Sequence, residues 1–166
     1  MSHFFNRPIT GEELKKLEDE KESMFREIYK DKVETIPHYL QFLEELKSRG
    51  FKTAVATSAP RANLDLIINA LKIEDKMDSM MASQDVQNHK PDPEVYLKSA
   101  ERVGVSPSDC VVFEDSFSGV TAGLNAGMKV VGVLSSHTKE QLPPCNFYIN
   151  DYSEVNADKI LELLKD

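Results

Sequence analysis

The chain has 166 residues, 40% of them hydrophobic and 29% charged, with a formal net charge of −8 at pH 7. That length suits one ordinary domain, or a small domain with an appendage, and the composition is that of a folded globular protein. The acidic balance excludes a binder of nucleic-acid phosphates, which needs clustered lysine and arginine, and no apolar run approaches the ~20 residues of a membrane span.

The opening "MSHFFNRPIT" has no basic region followed by an apolar core, so no secretory signal is expected and the cytoplasm is the expected location. "TGEELKKLEDEKESMFREIY" (10–29) reads as a heavily charged amphipathic helix. Thr10 with Glu13 three positions on makes a capping box, and Leu14, Leu17, Met24, Phe25 and Ile28 form an apolar stripe interrupted at Lys21. From Pro37 the pattern changes. "PHYLQFLEELKSRG" predicts a helix with Pro37 at its first position and Gly50 just past its end. Strands are predicted at 51–57, 77–83, 110–113, 129–134 and 146–150, alternating with helices at 60–71, 92–104, 118–127 and 153–166. Cys110 lies in an apolar strand and Cys145 follows Pro143-Pro144, settings too unlike for a disulfide framework. The strands are short and apolar without period-two polarity, so both of their faces should be covered. That predicts an α/β fold, a Rossmann-like parallel sheet with helices on both faces. Ligands of such sheets bind beyond the carboxyl ends of the strands.

Three features gather at those ends. The first strand ends at Thr57-Ser58, Lys90 lies in the loop "QNHKPDPE", and the strand at 110–113 runs into Glu114-Asp115. Each has a plain reading: a helix cap, a surface lysine, a solvated acid pair. Together at one rim they point to phosphate handling. A hydroxyl and free amides bind phosphate oxygens, and a lysine adds positive charge. Two carboxylates about 5 Å apart repel by roughly 3 kcal/mol at an effective dielectric near 20. A Mg²⁺ held by Glu114 and Asp115 would offset that repulsion and bridge to a phosphate, and Gly119 would let the backbone approach this loop closely.

The stretches "VATSAPRAN", "HKPDPEVYLKSAERVGVSP" and "VVFEDSFSGVTAGLNAGM", in this order, resemble the second, third and fourth motifs of the haloacid dehalogenase superfamily of phosphatases and phosphomutases. "VVGVLSSHTKEQL" and "FYINDYSEV" match as well, and the resemblance covers residues 37 to 155. It is greatest to the branch containing β-phosphoglucomutase and sugar-phosphate phosphatases. The resemblance implies that Thr57 and the Ser58 amide contact the transferring phosphoryl group, that Lys90 bridges phosphoryl group and nucleophile, and that Glu114 and Asp115 bind Mg²⁺. It extends more loosely to Arg61 and Asn63 as substrate contacts. Residues 1–33 would be the tail of a helical cap and 34–166 the core. The expected ligand is a small phosphorylated metabolite, a sugar phosphate, and the full-length form is expected to be a monomer.

Family members also carry Asp-x-Asp at the end of an N-terminal strand, the first Asp being the nucleophile. No apolar strand here ends in that pattern: "DEK" at 19–21 falls in the charged helix and "DPE" at 92–94 in the third motif. The resemblance therefore implies a longer protein in which that central strand precedes Met1. The 166 residues alone should be nearly inactive, because losing a covalent nucleophile costs about 10³–10⁶ in rate. A non-catalytic phosphate- or metal-binding protein that completes its sheet with a partner strand is the alternative. Receiver domains, which use a similar acid pair, Thr and Lys, place the acids first in the chain and do not fit this order. Phosphatase, phosphomutase and pyrophosphatase remain open.

Overall fold

The computed structural model describes residues 9–165; the first eight residues of the expected cap tail, and Asp166, lie outside it. Helix α1 (Gly11–Tyr29) begins at Thr10, whose hydroxyl accepts from the Glu13 amide at 3.2 Å. Helix α2 (Tyr39–Ser48) starts two residues after Pro37. His38 takes a left-handed backbone (φ 65°), which stops a helix from running through Pro37. Gly50 closes α2 with φ 79°, a left-handed conformation that favours glycine. The chain continues as β1 (Ala54–Ala56), α3 (Arg61–Leu71), β2 (Ser79–Met81), α4 (Glu94–Val103), β3 (Val111–Glu114), α5 (Phe117–Asn125), β4 (Lys129–Val133), β5 (Phe147–Ile149) and α6 (Ala157–Leu163). Helix α6 is shorter than the periodicity predicts. The Asn156 side chain caps it by accepting from the Lys159 amide at 2.9 Å, and 152–154 form a separate 3₁₀ turn.

All strand pairs are parallel, in two groups: β1–β2, with Val55 beside Met80, and β3–β4–β5, with Phe113 beside Val131 and Gly132 beside Tyr148. Helices cover both faces. On one, α4 and α5 bury Tyr96, Ala100 and Val120 against Met81, Val112 and Val130. On the other, α2 and α6 bury Phe42 and Ile160 against Val131, Val133 and Ile149, while Leu43 and α3 cover β1 and β2. This is the α/β fold with a parallel sheet that the strand composition predicts. Val130 and Val131 point to opposite faces and are both fully buried, which is why β4 carries no polar alternation.

Among the described residues no strand joins β1 to β3. A cleft of about 570 Å³ runs between them, floored by α4 and roofed by α2. Its effect on burial is direct: β4, paired on both sides, is buried at four of its five residues, whereas Ala54 in β1 is exposed.

Candidate active site

The carboxyl ends of β1, β3 and β4 meet at one rim, and the side chain that ties the first two together is Lys90. Its loop precedes α4, and its side chain is 6% exposed. The three N–H groups of Nζ have three partners: the Ala56 carbonyl of β1 at 3.1 Å, the Tyr96 hydroxyl of α4 at 2.8 Å, and Glu114 Oε1 of β3. Thr57 and Asp115 are the residues that immediately follow two of those partners.

Glu114 turns inward, beneath the first turn of α5. Its Oε1 accepts from Lys90 and from the Tyr96 hydroxyl at 2.6 Å. Its Oε2 accepts from the amides of Asp115 and Ser116, at 3.2 and 3.3 Å, and from the Ser116 hydroxyl at 3.1 Å. Those amides stand at a helix N-terminus, where negative charge is favoured. The carboxylate reaches this position because residue 119 is glycine: a Cβ there would lie 2.1 Å from Glu114 Cδ. Burial pushes the Glu114 pKa up, but Lys90, Tyr96 and Ser116 outweigh it and hold the carboxyl below its ordinary value. Burial, reinforced by the charge of Glu114, pushes Tyr96 upward, so it stays a neutral hydrogen-bond donor.

Asp115 turns the other way. Its Oδ2 accepts from the hydroxyls of Ser135 and Ser136, at 3.1 and 2.9 Å, in the loop after β4, and its carbonyl oxygen lies 2.9 Å from His137 Nδ1. The repulsion expected between adjacent acids is thus relieved by the protein itself. One carboxylate is neutralised inside by an ammonium and the other is displayed outside on serine hydroxyls.

Thr57 donates its amide to Met81 O at 2.9 Å, and its hydroxyl accepts from the Ala59 amide at 3.0 Å, the capping contact its sequence position suggests. A hydroxyl that accepts in this way keeps its own proton to donate. Ser58 beside it is exposed. Arg61 and Asn63 are engaged elsewhere. The Arg61 guanidinium bonds Asp85 Oδ2 at 2.5 Å and the Met80 carbonyl at 3.1 Å, covering the outer edge of β2. Asn63 is buried; its amide accepts from Arg26 at 2.9 Å and donates to Glu22 at 2.5 Å, fastening α1 to α3.

Sequence reasoning missed Tyr96, Ser116, Ser135, Ser136 and His137. Tyr96 reads as one more apolar position of α4. Ser116 had a usable signal, a cap residue three positions before Gly119, and its hydroxyl does accept from the Gly119 amide at 3.0 Å. Nothing local marks the serines at 135 and 136, whose role depends on the β3–β4 register.

Among the described residues no group of three acids, histidines or cysteines is gathered to hold a metal. The donor set nevertheless suits a hard cation at Asp115. Magnesium takes oxygen ligands, often one or two carboxylates with several waters, and both hydroxyl bonds to Asp115 go to Oδ2, leaving Oδ1 without a hydrogen-bond partner among the described residues. Glu114 has its oxygens occupied and reaches a cation only by releasing one of these bonds.

A parallel α/β sheet thus carries a lysine, an acid pair and a hydroxyl at its strand ends. Residues 4–133 match the family model of haloacid dehalogenase-like hydrolases, and the chain belongs to that family. It is 38% identical over 154 residues to a haloacid dehalogenase-like hydrolase domain-containing protein of Arabidopsis thaliana, covering 90% of this chain and 47% of that protein. It is 40% identical over 123 residues to the phosphorylated carbohydrates phosphatase of Thermotoga maritima, covering 74% and 55%. The chain thus spans about half the length of these relatives. Among solved structures it superposes on a family IA, variant 3 hydrolase from Entamoeba histolytica with a TM-score of 0.92 at 28% identity, over 99% of this chain and 77% of that one. It superposes on β-phosphoglucomutase from Clostridium difficile with a TM-score of 0.86 at 26% identity, over 99% and 73%.

Proposed function

We propose that the chain serves Mg²⁺-dependent phosphoryl transfer: hydrolysis of a small phosphorylated metabolite, a sugar phosphate, by a cytoplasmic, monomeric enzyme. One observation carries this reading. A buried ammonium sits between the carboxyl ends of β1 and β3, bonded to Ala56 and Glu114, so that Thr57 and Asp115 flank it. The Thermotoga relative, named for phosphorylated carbohydrates, supports the substrate class. The Thr57 hydroxyl and the Ser58 amide donate to the phosphoryl oxygens. Lys90 exchanges one of its three bonds for a phosphoryl oxygen. Asp115 would hold Mg²⁺, and Glu114 would contribute to the same ion only by releasing one of its present hydrogen bonds. When bound, Mg²⁺ polarises the phosphoryl group and neutralises developing charge. A phosphomutase, returning the phosphoryl group to a bound sugar bisphosphate instead of to water, is the second reading, favoured by the likeness to β-phosphoglucomutase.

The covalent step needs a carboxylate nucleophile beside Lys90, and no apolar strand in the 166 residues ends in Asp-x-Asp. The chain alone is therefore expected to hydrolyse p-nitrophenyl phosphate no faster than buffer. With a strand ending in Asp-x-Asp fused ahead of residue 1, Mg²⁺-dependent hydrolysis is expected, abolished by chelation and by Asp115→Ala. Activity that survives both treatments overturns the mechanism. Turnover by the unfused chain removes the need for the added aspartates.

A further inference from the structure

We infer that Ser135, Ser136 and His137 are positioning residues that restrict Asp115 to offering a cation one carboxylate oxygen, and so favour Mg²⁺ over Ca²⁺. The inference rests on the reading of Asp115 as a Mg²⁺ ligand and deepens it.

The three residues lie in the loop after β4, and that loop is pinned at both ends. Leu134 donates its amide to Ile149 O of β5 at 2.8 Å. Thr138 donates its amide to Gln141 Oε1 at 2.9 Å, and the Gln141 amide returns a bond to Thr138 O at 3.0 Å. Pairing of Glu114 with Gly132 sets the next residue, Asp115, beside this loop. Ser135 Oγ lies 3.1 Å from Asp115 Oδ2. Ser136 Oγ lies 2.9 Å from Oδ2, 3.0 Å from the Asp115 carbonyl oxygen and 2.9 Å from His137 Nδ1. His137 Nδ1 lies 2.9 Å from the same carbonyl oxygen.

Counting protons assigns these contacts. A serine hydroxyl has one proton to donate, and a carbonyl oxygen only accepts. A bare Nδ1 would face the Asp115 carbonyl lone pair to lone pair, and would draw the Ser136 proton away from the carboxylate. With the ring proton on Nδ1, His137 satisfies the carbonyl and the Ser136 proton is free for Oδ2. Both acceptor positions of Oδ2 are then filled by hydroxyls, whereas Oδ1 has no hydrogen-bond partner among the described residues. His137 therefore acts on the carboxylate through Ser136.

One free oxygen on a fixed carboxylate discriminates between cations. Mg²⁺ takes single oxygens and waters in a strict octahedron, whereas Ca²⁺ takes more oxygens in looser geometry and can grip a carboxylate by both. A grip on both oxygens of Asp115 first requires breaking the two hydroxyl bonds to Oδ2. Coordination through Oδ1 alone leaves them intact.

The test uses the full 166-residue chain in phosphate-free buffer, with Mg²⁺ and Ca²⁺ as separate probes followed through the amide resonances of Asp115 and Ser116. The parent is expected to bind Mg²⁺ more tightly than Ca²⁺. The double variant Ser135→Ala/Ser136→Ala, which frees Oδ2, should shrink that preference by about fivefold or more, chiefly by strengthening Ca²⁺ binding. His137→Ala should move the ratio in the same direction, and His137→Asn, which keeps an N–H near the Nδ1 position, should retain the parent ratio. A loss of stability alone would weaken both ions together and leave their ratio unchanged. Imidazole ¹⁵N spectra of the parent at pH 8 should show the His137 proton on Nδ1 and none on Nε2. The inference is overturned by an unchanged ratio in either alanine variant or by a ring proton on Nε2. The ring spectra need neither metal nor variant, so they decide even where a variant fails to fold. Absence of any Mg²⁺ response at Asp115 in the parent overturns the metal reading and this inference together, whereas Mg²⁺ binding with an unchanged ratio overturns this inference alone.

Discussion

Strand β1 is held at each end by an ionic knot, and the two knots are built differently. At its carboxyl end the Lys90 ammonium bonds the Ala56 carbonyl and Glu114, with side chains only 6% and 11% exposed. At its amino end Asp78, at the start of β2, accepts from the Thr53 amide at 2.9 Å and from Lys47 and Lys52 at 2.7 and 3.1 Å. There Lys52 is 55% exposed. The buried knot requires every donor and acceptor to be matched, which is why a tyrosine hydroxyl, a serine and a glycine surround it. The outer knot is finished by solvent and tolerates loose partners. The residues read from the sequence as chemistry sit in or beside the buried knot; the outer one only ties α2, β1 and β2 together.

The largest expected effect comes from breaking the buried knot. Lys90→Met leaves Glu114 ionised and unpaired inside the protein, and should cost about 3–5 kcal/mol in urea denaturation. Adding Glu114→Leu should recover most of that loss, since removing both charges is far less costly than removing one. Gly119→Ala attacks the same knot by volume: the new methyl would meet the Glu114 carboxylate. A loss of about 1–3 kcal/mol is expected in thermal unfolding, whereas Gly11→Ala, with open space around it, should stay within about 0.5 kcal/mol.

At the outer knot Asp78→Asn should cost about 1–2 kcal/mol at pH 7. The Lys47 ammonium, followed by the Thr53 amide and Lys52, holds the Asp78 carboxyl well below the usual carboxylate range. Because the folded-state pKa is lowered, its stabilisation is fully present above the unfolded value near 4 and is lost as pH falls below it. Melting temperatures between pH 5 and 3 should therefore fall less steeply in Asp78→Asn than in the parent. The smallest effect belongs to Lys52→Ala, about 0.2–1 kcal/mol, and should vanish in 1 M salt, where screening acts within about 3 Å. If salt erased the Lys90→Met penalty as well, the contrast between the two knots would fail.

How much the sequence determined follows from which interactions are local. Apolar strands without alternation, helices of 3.6-residue period and glycines at helix ends are written in neighbouring residues. The parallel α/β sandwich and most of its elements could therefore be read in order, with misses such as Pro37 and the shortened α6 arising from single-residue backbone and capping choices. Thr57, Lys90, Glu114 and Asp115 stood out because a strand-end position is also a sequence position. Only the tertiary structure decided what each does there. Glu114 faces inward because Lys90, 24 residues earlier, and Tyr96 meet it across the sheet. Asp115 faces outward because β4 brings Ser135 and Ser136 beside it, and Asn63 is withdrawn because α1 lies against α3. The opening between β1 and β3, by contrast, was legible: the family resemblance places the strand that ends in Asp-x-Asp between the strands ending at Thr57 and at Asp115, and no such strand is found among the described residues.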